Sequence, residues 1–212
     1  MLGLRLPDGP LRLACVGAHC DDLEIGAGGT ILRLLAEHPG STVDWVIVSG
    51  DERRRAEAAA ASSEVLADAA EVRHHLGDLP DTLLPWHGPE VKAALSAVAR
   101  GAAHDLVLAP ALHDRHQDHR AVAEAVHQTW RDHPIWSYEI AKWEGDLRTP
   151  NLYVRLDDAV AERKLDLLSR HFPSQHDHRW YDRDAFAALL RLRGVECNER
   201  WAEGFHVLKT AV

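Results

Sequence analysis

The sequence predicts an α/β fold: three layers, with helices on both faces of a mostly parallel sheet. Three observations predict it. Short apolar runs alternate with longer helix-patterned segments four times between residues 11 and 130. The runs are continuously apolar, as in strands covered on both faces. Finally, 212 residues with 46% hydrophobic and 27% charged side chains suffice for one sizeable core.

The first strand is Leu11 to Ala18, an apolar run ending in small residues. A helix follows from Glu24 to Glu37, with Ile25, Ile31, Leu32, Leu34 and Leu35 at helical spacing and His38-Pro39-Gly40 as its stop. Thr42 to Val48 is the second strand, Asp51 to Ala70 an Ala/Glu/Arg-rich helix, and Val72 to Leu76 the third strand. Pro89 to Arg100 is a helix with an early proline, Asp105 to Ala109 the fourth strand, and Gln117 to Trp130 the next helix. Beyond Pro134 the rhythm changes. Strands are expected at Ile135 to Ile140, Leu152 to Leu156 and Phe205 to Leu208, and helices at Asp157 to Arg170 and Asp182 to Arg193. Each βαβ crossover returns the chain to the same end of the sheet, which gives a Rossmann-like architecture with any site at the C-terminal ends of the strands. No linker or internal repeat divides the chain, so residues 1–212 read as one domain.

Composition excludes several function classes. The net charge of -9 opposes binding to a phosphate backbone, so nucleic acid is not an expected partner. No run approaches the roughly 18 apolar residues of a membrane span, and the opening residues lack a secretory pattern, so a cytoplasmic location is expected. Cys15, Cys20 and Cys197 are odd in number and lack C-x-x-C spacing, which indicates neither a disulfide framework nor a thiolate zinc site. Fifteen histidines make imidazole and carboxylate the available metal ligands.

Two clusters carry chemistry. The first strand runs into Ala18-His19-Cys20-Asp21-Asp22, at the strand end where a parallel sheet holds its ligands. His19 and Asp22 offer donors that Zn²⁺ accepts, and Asp21 between them is free to face a water. The same Asp pair also reads as the cap of the next helix. Gly26, Gly28 and Gly29 do not complete a dinucleotide motif, because Ile31 stands where the last glycine belongs; they read as close helix-to-sheet packing. The second cluster, His113-Asp114-Arg115-His116-Gln117-Asp118-His119, follows the fourth strand. If the helix has begun by His116, that residue and His119 share a face and supply a third ligand, leaving the open position of a catalytic zinc; the alternative is a solvated helix start.

Ala18 to Gly29 and His116 to His119 resemble the two motifs, A-H-P-D-D-E-x-x-G-x-G-G and H-x-D-H, of the PIG-L/LmbE-type zinc-dependent N-deacetylases. Arg54 to Glu57, Leu79 to Asp81, the Lys164-to-Gln175 segment and Ala202 to Phe205 are similar to further family features. The resemblance implies that His19, Asp22 and His119 bind one zinc, that Asp21 is the general base, and that His116 holds the oxyanion or assists proton transfer. It also implies that Arg54 and Asp81 contact hydroxyls of an N-acetylated amino sugar, commonly an N-acetylglucosamine unit, which loses acetate to give a free amine. Cys20 and Leu23 stand where the family has proline and glutamate, so an altered loop stiffness or an oxidation-sensitive site is expected.

Other readings stay open. An amidase of the same family acting on a larger acyl or thiol conjugate would use the same groups. A non-catalytic Rossmann-like binding protein would leave the five site residues as coincidence, and a two-metal phosphoesterase would need more carboxylates. Trp136, Tyr138 and Trp143 are candidates for stacking on a sugar or for packing. His171, His176, Asp177 and His178 read as a solvated loop or a second metal site.

Overall fold

The computed structural model describes residues 6–209. The expectation about a secretory pattern rests partly on residues 1–5, outside that range. The predicted alternation is present as β1 (Arg12–Gly17), α1 (Asp22–Glu37), β2 (Thr42–Ser49), α2 (Glu52–Val65), β3 (Glu71–Leu79), α3 (Gly88–Gly101), β4 (Leu106–Pro110) and α4 (Gln117–Thr129). After it come β5 (Ile135–Tyr138), β6 (Leu152–Leu156), α5 (Asp158–His171), α6 (Arg183–Glu196) and β7 (Trp201–His206). The last strand lies earlier than Phe205 to Leu208 because its ladder is set by the partner: Trp201 pairs with Leu156, and Phe205 with Leu152.

The strands form one sheet in the order β3-β2-β1-β4-β5-β7-β6. Neighbours from β3 to β5 are parallel, and β7 runs antiparallel between β5 and β6. The mostly parallel α/β expectation therefore holds. Strand periodicity of two builds a core on each face: Leu13, Cys15, Trp45 and Leu108 join one cluster with α1 and α5, while Ala14, Val16, Val46 and Val107 join another with α3 and α4.

The glycines of α1 act as the sequence suggests. A Cβ at Gly26 would overlap the Tyr138 ring and one at Gly29 would strike Leu156, so α1 lies closer to β5 and β6 than a helix with side chains at those positions allows. This depth buries Trp136 and Tyr138, which removes both from the sugar-stacking candidates; the Tyr138 hydroxyl donates to the Val16 carbonyl. Among the described residues no helix is long and apolar enough to cross a membrane. For the site, the decisive feature is that β1 and β4, about 90 residues apart in sequence, are adjacent parallel strands with Cys15 opposite Leu108.

Candidate active site

The turn after β1 is folded by Asp22. Its Oδ2 accepts from the backbone N–H groups of Ala18 at 2.8 Å and His19 at 2.9 Å, which leaves Oδ1 free to face the cleft. Asp21 occupies the N-cap position of α1 but makes no side-chain cap bond, so capping does not explain it. After β4, His116 is itself the N-cap of α4: its Nδ1 accepts from the Asp118 N–H. His116 and His119 thus do not share a helix face as expected. The cap conformation instead swings the His116 ring to 4.9 Å from the His19 ring and 4.8 Å from that of His119.

Three atoms from the two clusters converge. His19 Nδ1 lies 3.1 Å from His119 Nε2 and 3.7 Å from Asp22 Oδ1, and the last two are 3.3 Å apart. A triangle with those sides has a circumradius of about 2.0 Å, the distance at which zinc holds nitrogen and oxygen ligands. The donor set therefore fits one divalent ion with a side open to the cleft. Each donor is also oriented from behind. The His19 Nε2 side meets Asp118 at 3.2 Å and Asp81 at 3.0 Å, and the His119 Nδ1–H donates to Asp114 at 2.8 Å. Carboxylate–imidazole pairs of this kind fix the tautomer that presents the opposite nitrogen to a metal.

The electrostatics agree. Burial lowers His19 and His119, yet Asp22 with Asp118 and Asp81 holds the first well above its ordinary value, and Asp22 with Asp114 raises the second to about 9. Burial likewise opposes ionisation of Asp22, but the two imidazoles more than offset it and keep its carboxylate well below the usual range. The cluster favours positive charge. Asp21 responds oppositely: burial raises it, partly countered by Arg54, and adjacent Asp22 raises it further. Arg54 donates to Asp21 Oδ1 at 3.0 Å and to Asp81 at 2.7 Å, while Asp21 Oδ2 has no partner among the described residues. Burial pushes His116 down, keeping it a neutral imidazole.

All seven residues singled out from the sequence line one cleft of about 460 Å³. Arg54, on α2, reaches into the cleft and bridges Asp21 and Asp81. Its link to Asp81 rests on Thr82, held at φ 66° with its N–H donated to Asp118. Sequence reasoning missed Asp114, Asp118 and Lys142, whose ammonium lies 2.9 Å from Asp114. Both aspartates stand inside the second cluster, so their position was the available signal; Lys142 had none. Glu24 was also missed: it is buried in α1 with neither carboxyl oxygen bonded among the described residues, and burial pushes it well above its ordinary value. Two minor motif features meet, because Ser174 donates to Glu57 through both its N–H and its hydroxyl.

One expectation is corrected. Cys20 is buried against the Ser49 carbonyl, and burial pushes its thiol up to about 12, so it is not an oxidation-sensitive thiolate. Of the two readings of His171, His176, Asp177 and His178, the metal cluster does not form among the described residues: His171, the last residue of α5, bonds Glu64, and His178 lines the cleft.

A family model described as GlcNAc-PI de-N-acetylase (PIG-L) matches residues 14–130, more than half of the chain and both clusters. No curated protein matches. Among solved structures the chain is similar to N,N'-diacetylchitobiose deacetylase from Pyrococcus horikoshii, with 21% identity over 93% of this chain and 83% of that one and a TM-score of 0.71. It is similar to GalB, the 4-carboxy-2-hydroxymuconate hydratase from Pseudomonas putida KT2440, with 20% identity, 95% and 98% coverage and a TM-score of 0.67. The A40926 pseudoaglycone deacetylase Dbv21 matches with 18% identity, 97% and 100% coverage and a TM-score of 0.67.

Proposed function

The chain belongs to the PIG-L (GlcNAc-PI de-N-acetylase) family, and on that premise we propose that it is a zinc-dependent N-deacetylase converting an N-acetylated amino sugar to free amine and acetate. A hydratase shares the fold, so the fold does not select the reaction. The observation that carries the reading is the convergence of His19, Asp22 and His119 on one point in the cleft that Asp21 also lines.

His19, Asp22 and His119 would hold the ion, which when bound polarises the acetamide carbonyl and acidifies water. Asp21 accepts the proton of the attacking water on Oδ2, while Arg54 fixes its Oδ1 and keeps the carboxylate from rotating. Burial raises the basicity of this oxygen, as a general base requires. His116 accepts a backbone N–H at Nδ1, so its proton sits on Nε2 and is available to the tetrahedral oxyanion. When the C–N bond breaks, the amine takes the proton that Asp21 received. Arg54 and Asp81 line the cleft and organise Asp21 and His19, which supports a further role for them at the sugar hydroxyls.

The test is metal content of the purified protein together with amine release from N-acetylglucosamine conjugates, wild type beside Asp21→Asn. About one zinc per chain is expected in both, with turnover lowered about 10²- to 10⁴-fold in the variant. Wild-type turnover by Asp21→Asn overturns the assignment of the base. Absence of bound metal overturns the reaction, and amine release from longer acyl conjugates alone makes the protein an amidase.

A further inference from the structure

We propose that Gln175 is a specificity residue of the cleft, its side-chain carbonyl accepting a hydrogen bond from a hydroxyl of the amino sugar, and that Ser174 and Glu57 are positioning residues that fix which way its amide faces. This rests on the deacetylase reading and adds a residue that reads the sugar. The loop between α5 and α6 lines the cleft with Ser174, Gln175, His178 and Trp180. Gln175 is only 7% exposed. Its backbone groups are occupied: the N–H donates to the Phe172 carbonyl and the carbonyl accepts the His178 N–H, each at 2.9 Å, so the side chain is what Gln175 offers a ligand.

The orientation of the amide follows from where the protons lie. An ionised carboxylate only accepts, and Glu57 accepts both the Ser174 N–H, at 3.1 Å, and the Ser174 hydroxyl hydrogen. With its one proton placed there, the Ser174 oxygen can only accept from its other neighbour. The Gln175 amide, 3.1 Å away, therefore turns its Nε2 toward Ser174 and its Oε1 the other way. That oxygen has no donor among the described residues, yet it is not sealed from solvent, so a ligand in the cleft can reach it. A nearly buried acceptor of this kind lacks a bond that a substrate hydroxyl supplies. Among the described residues Gln175 bonds none of His19, Asp21, Asp22, His116 and His119; its support comes from α2 through Ser174. It thus meets the substrate apart from the acetamide, where an amino sugar carries hydroxyl groups. Arg54, three residues before Glu57, braces Asp21 and Asp81, so one turn of α2 organises both the base and the wall that reads the sugar. Trp180 adds the apolar face that such a wall combines with a few placed polar groups.

The experiment measures amine release by the metal-loaded protein from methyl N-acetyl-β-glucosaminide and from its 3-deoxy, 4-deoxy and 6-deoxy derivatives. Wild type is expected to lose about tenfold in kcat/KM on the probe that lacks the hydroxyl facing Gln175. Gln175→Leu is expected to lower turnover of the parent by about the same factor and to bring that probe and the parent within about twofold of each other. Ser174→Ala releases the amide and should narrow the same ratio, and Ser174→Thr, which keeps the hydroxyl, should restore it. A merely structural role would lower all probes together and leave the ratio alone. Equal turnover of the parent and every deoxy probe by wild type, or a ratio unmoved by Gln175→Leu, overturns the proposal. Turnover of no probe overturns the deacetylase reading instead. Calorimetric binding of the same probes then reads the hydroxyl preference alone, and equal affinities or no binding refute it.

Discussion

Asp118 is the residue whose replacement separates a metal-positioning role from a merely structural one. Its side chain is fully buried and serves three partners. Oδ2 accepts the Thr82 N–H at 2.7 Å and lies 3.2 Å from His19 Nε2, and Oδ1 accepts the Leu84 N–H at 3.1 Å. Asp118→Ala orphans two backbone donors, at about 1–3 kcal/mol each. Thr82, β-branched at φ 66°, is held in a strained conformation by one of those bonds, and its relaxation returns about 1–3 kcal/mol. At mid-range values the net loss is about 2 kcal/mol, which for a chain of this size lowers Tm by roughly 4–8 °C. Freed from Asp118, the His19 ring keeps only Asp81 of its two orienting carboxylates, the one on the exposed side, and zinc affinity should fall about tenfold, the lower end for loss of such a partner. Thermal denaturation reads the first quantity and chelator competition the second. A variant with lowered Tm but zinc affinity within about twofold of wild type would refute the reasoning, because Asp118 would then support only the Thr82 loop.

Gly26→Ala drives a methyl group into the Tyr138 ring and is expected to cost about 1–3 kcal/mol by urea unfolding; wild-type stability would mean that α1 is free to shift away from β5. Lys164→Met leaves the Glu203 carboxylate buried against the N–H groups of Gly29 and Thr30 without its ammonium, an expected loss of about 3–5 kcal/mol, and a neutral outcome would show that the pair is replaceable by packing. Burial lowers His206 to about 4, and its ring packs on His113. The unfolded chain, near 6.5, takes up that proton first, so stability present above pH 6.5 is lost as pH falls from about 6.5 to 4. After discounting for partial exposure the loss is about 1–2 kcal/mol. His206→Phe should flatten the slope between pH 7 and pH 4.5, and an unchanged slope would assign it elsewhere.

What the sequence by itself determined is the local structure and the chemistry it carries. Apolar runs and helical spacing depend only on neighbours along the chain, so β1 to α4 fell within a few residues of their predicted ranges. His19, Asp21 and Asp22 were legible because they stand directly after β1, and His116 and His119 because they open the helix that follows β4, where a parallel sheet presents its ligands. Tertiary structure alone decided the rest. The triangle of donors exists because β4 pairs with β1 across some 90 intervening residues, and no local pattern encodes which strands become neighbours. The carboxylates behind the imidazoles, the bridge from Arg54 to Asp21 and Asp81, and the seat of Lys142 against Asp114 are long-range contacts of the same kind. Burial was the other decision. The depth at which Gly26 lets α1 settle turned Tyr138 from a candidate sugar platform into core, and the closure of the turn after β1 over Ser49 turned Cys20 from a reactive thiol into an inert one. Solvent exposure is set by what packs on a residue, and that partner lies elsewhere in the sequence.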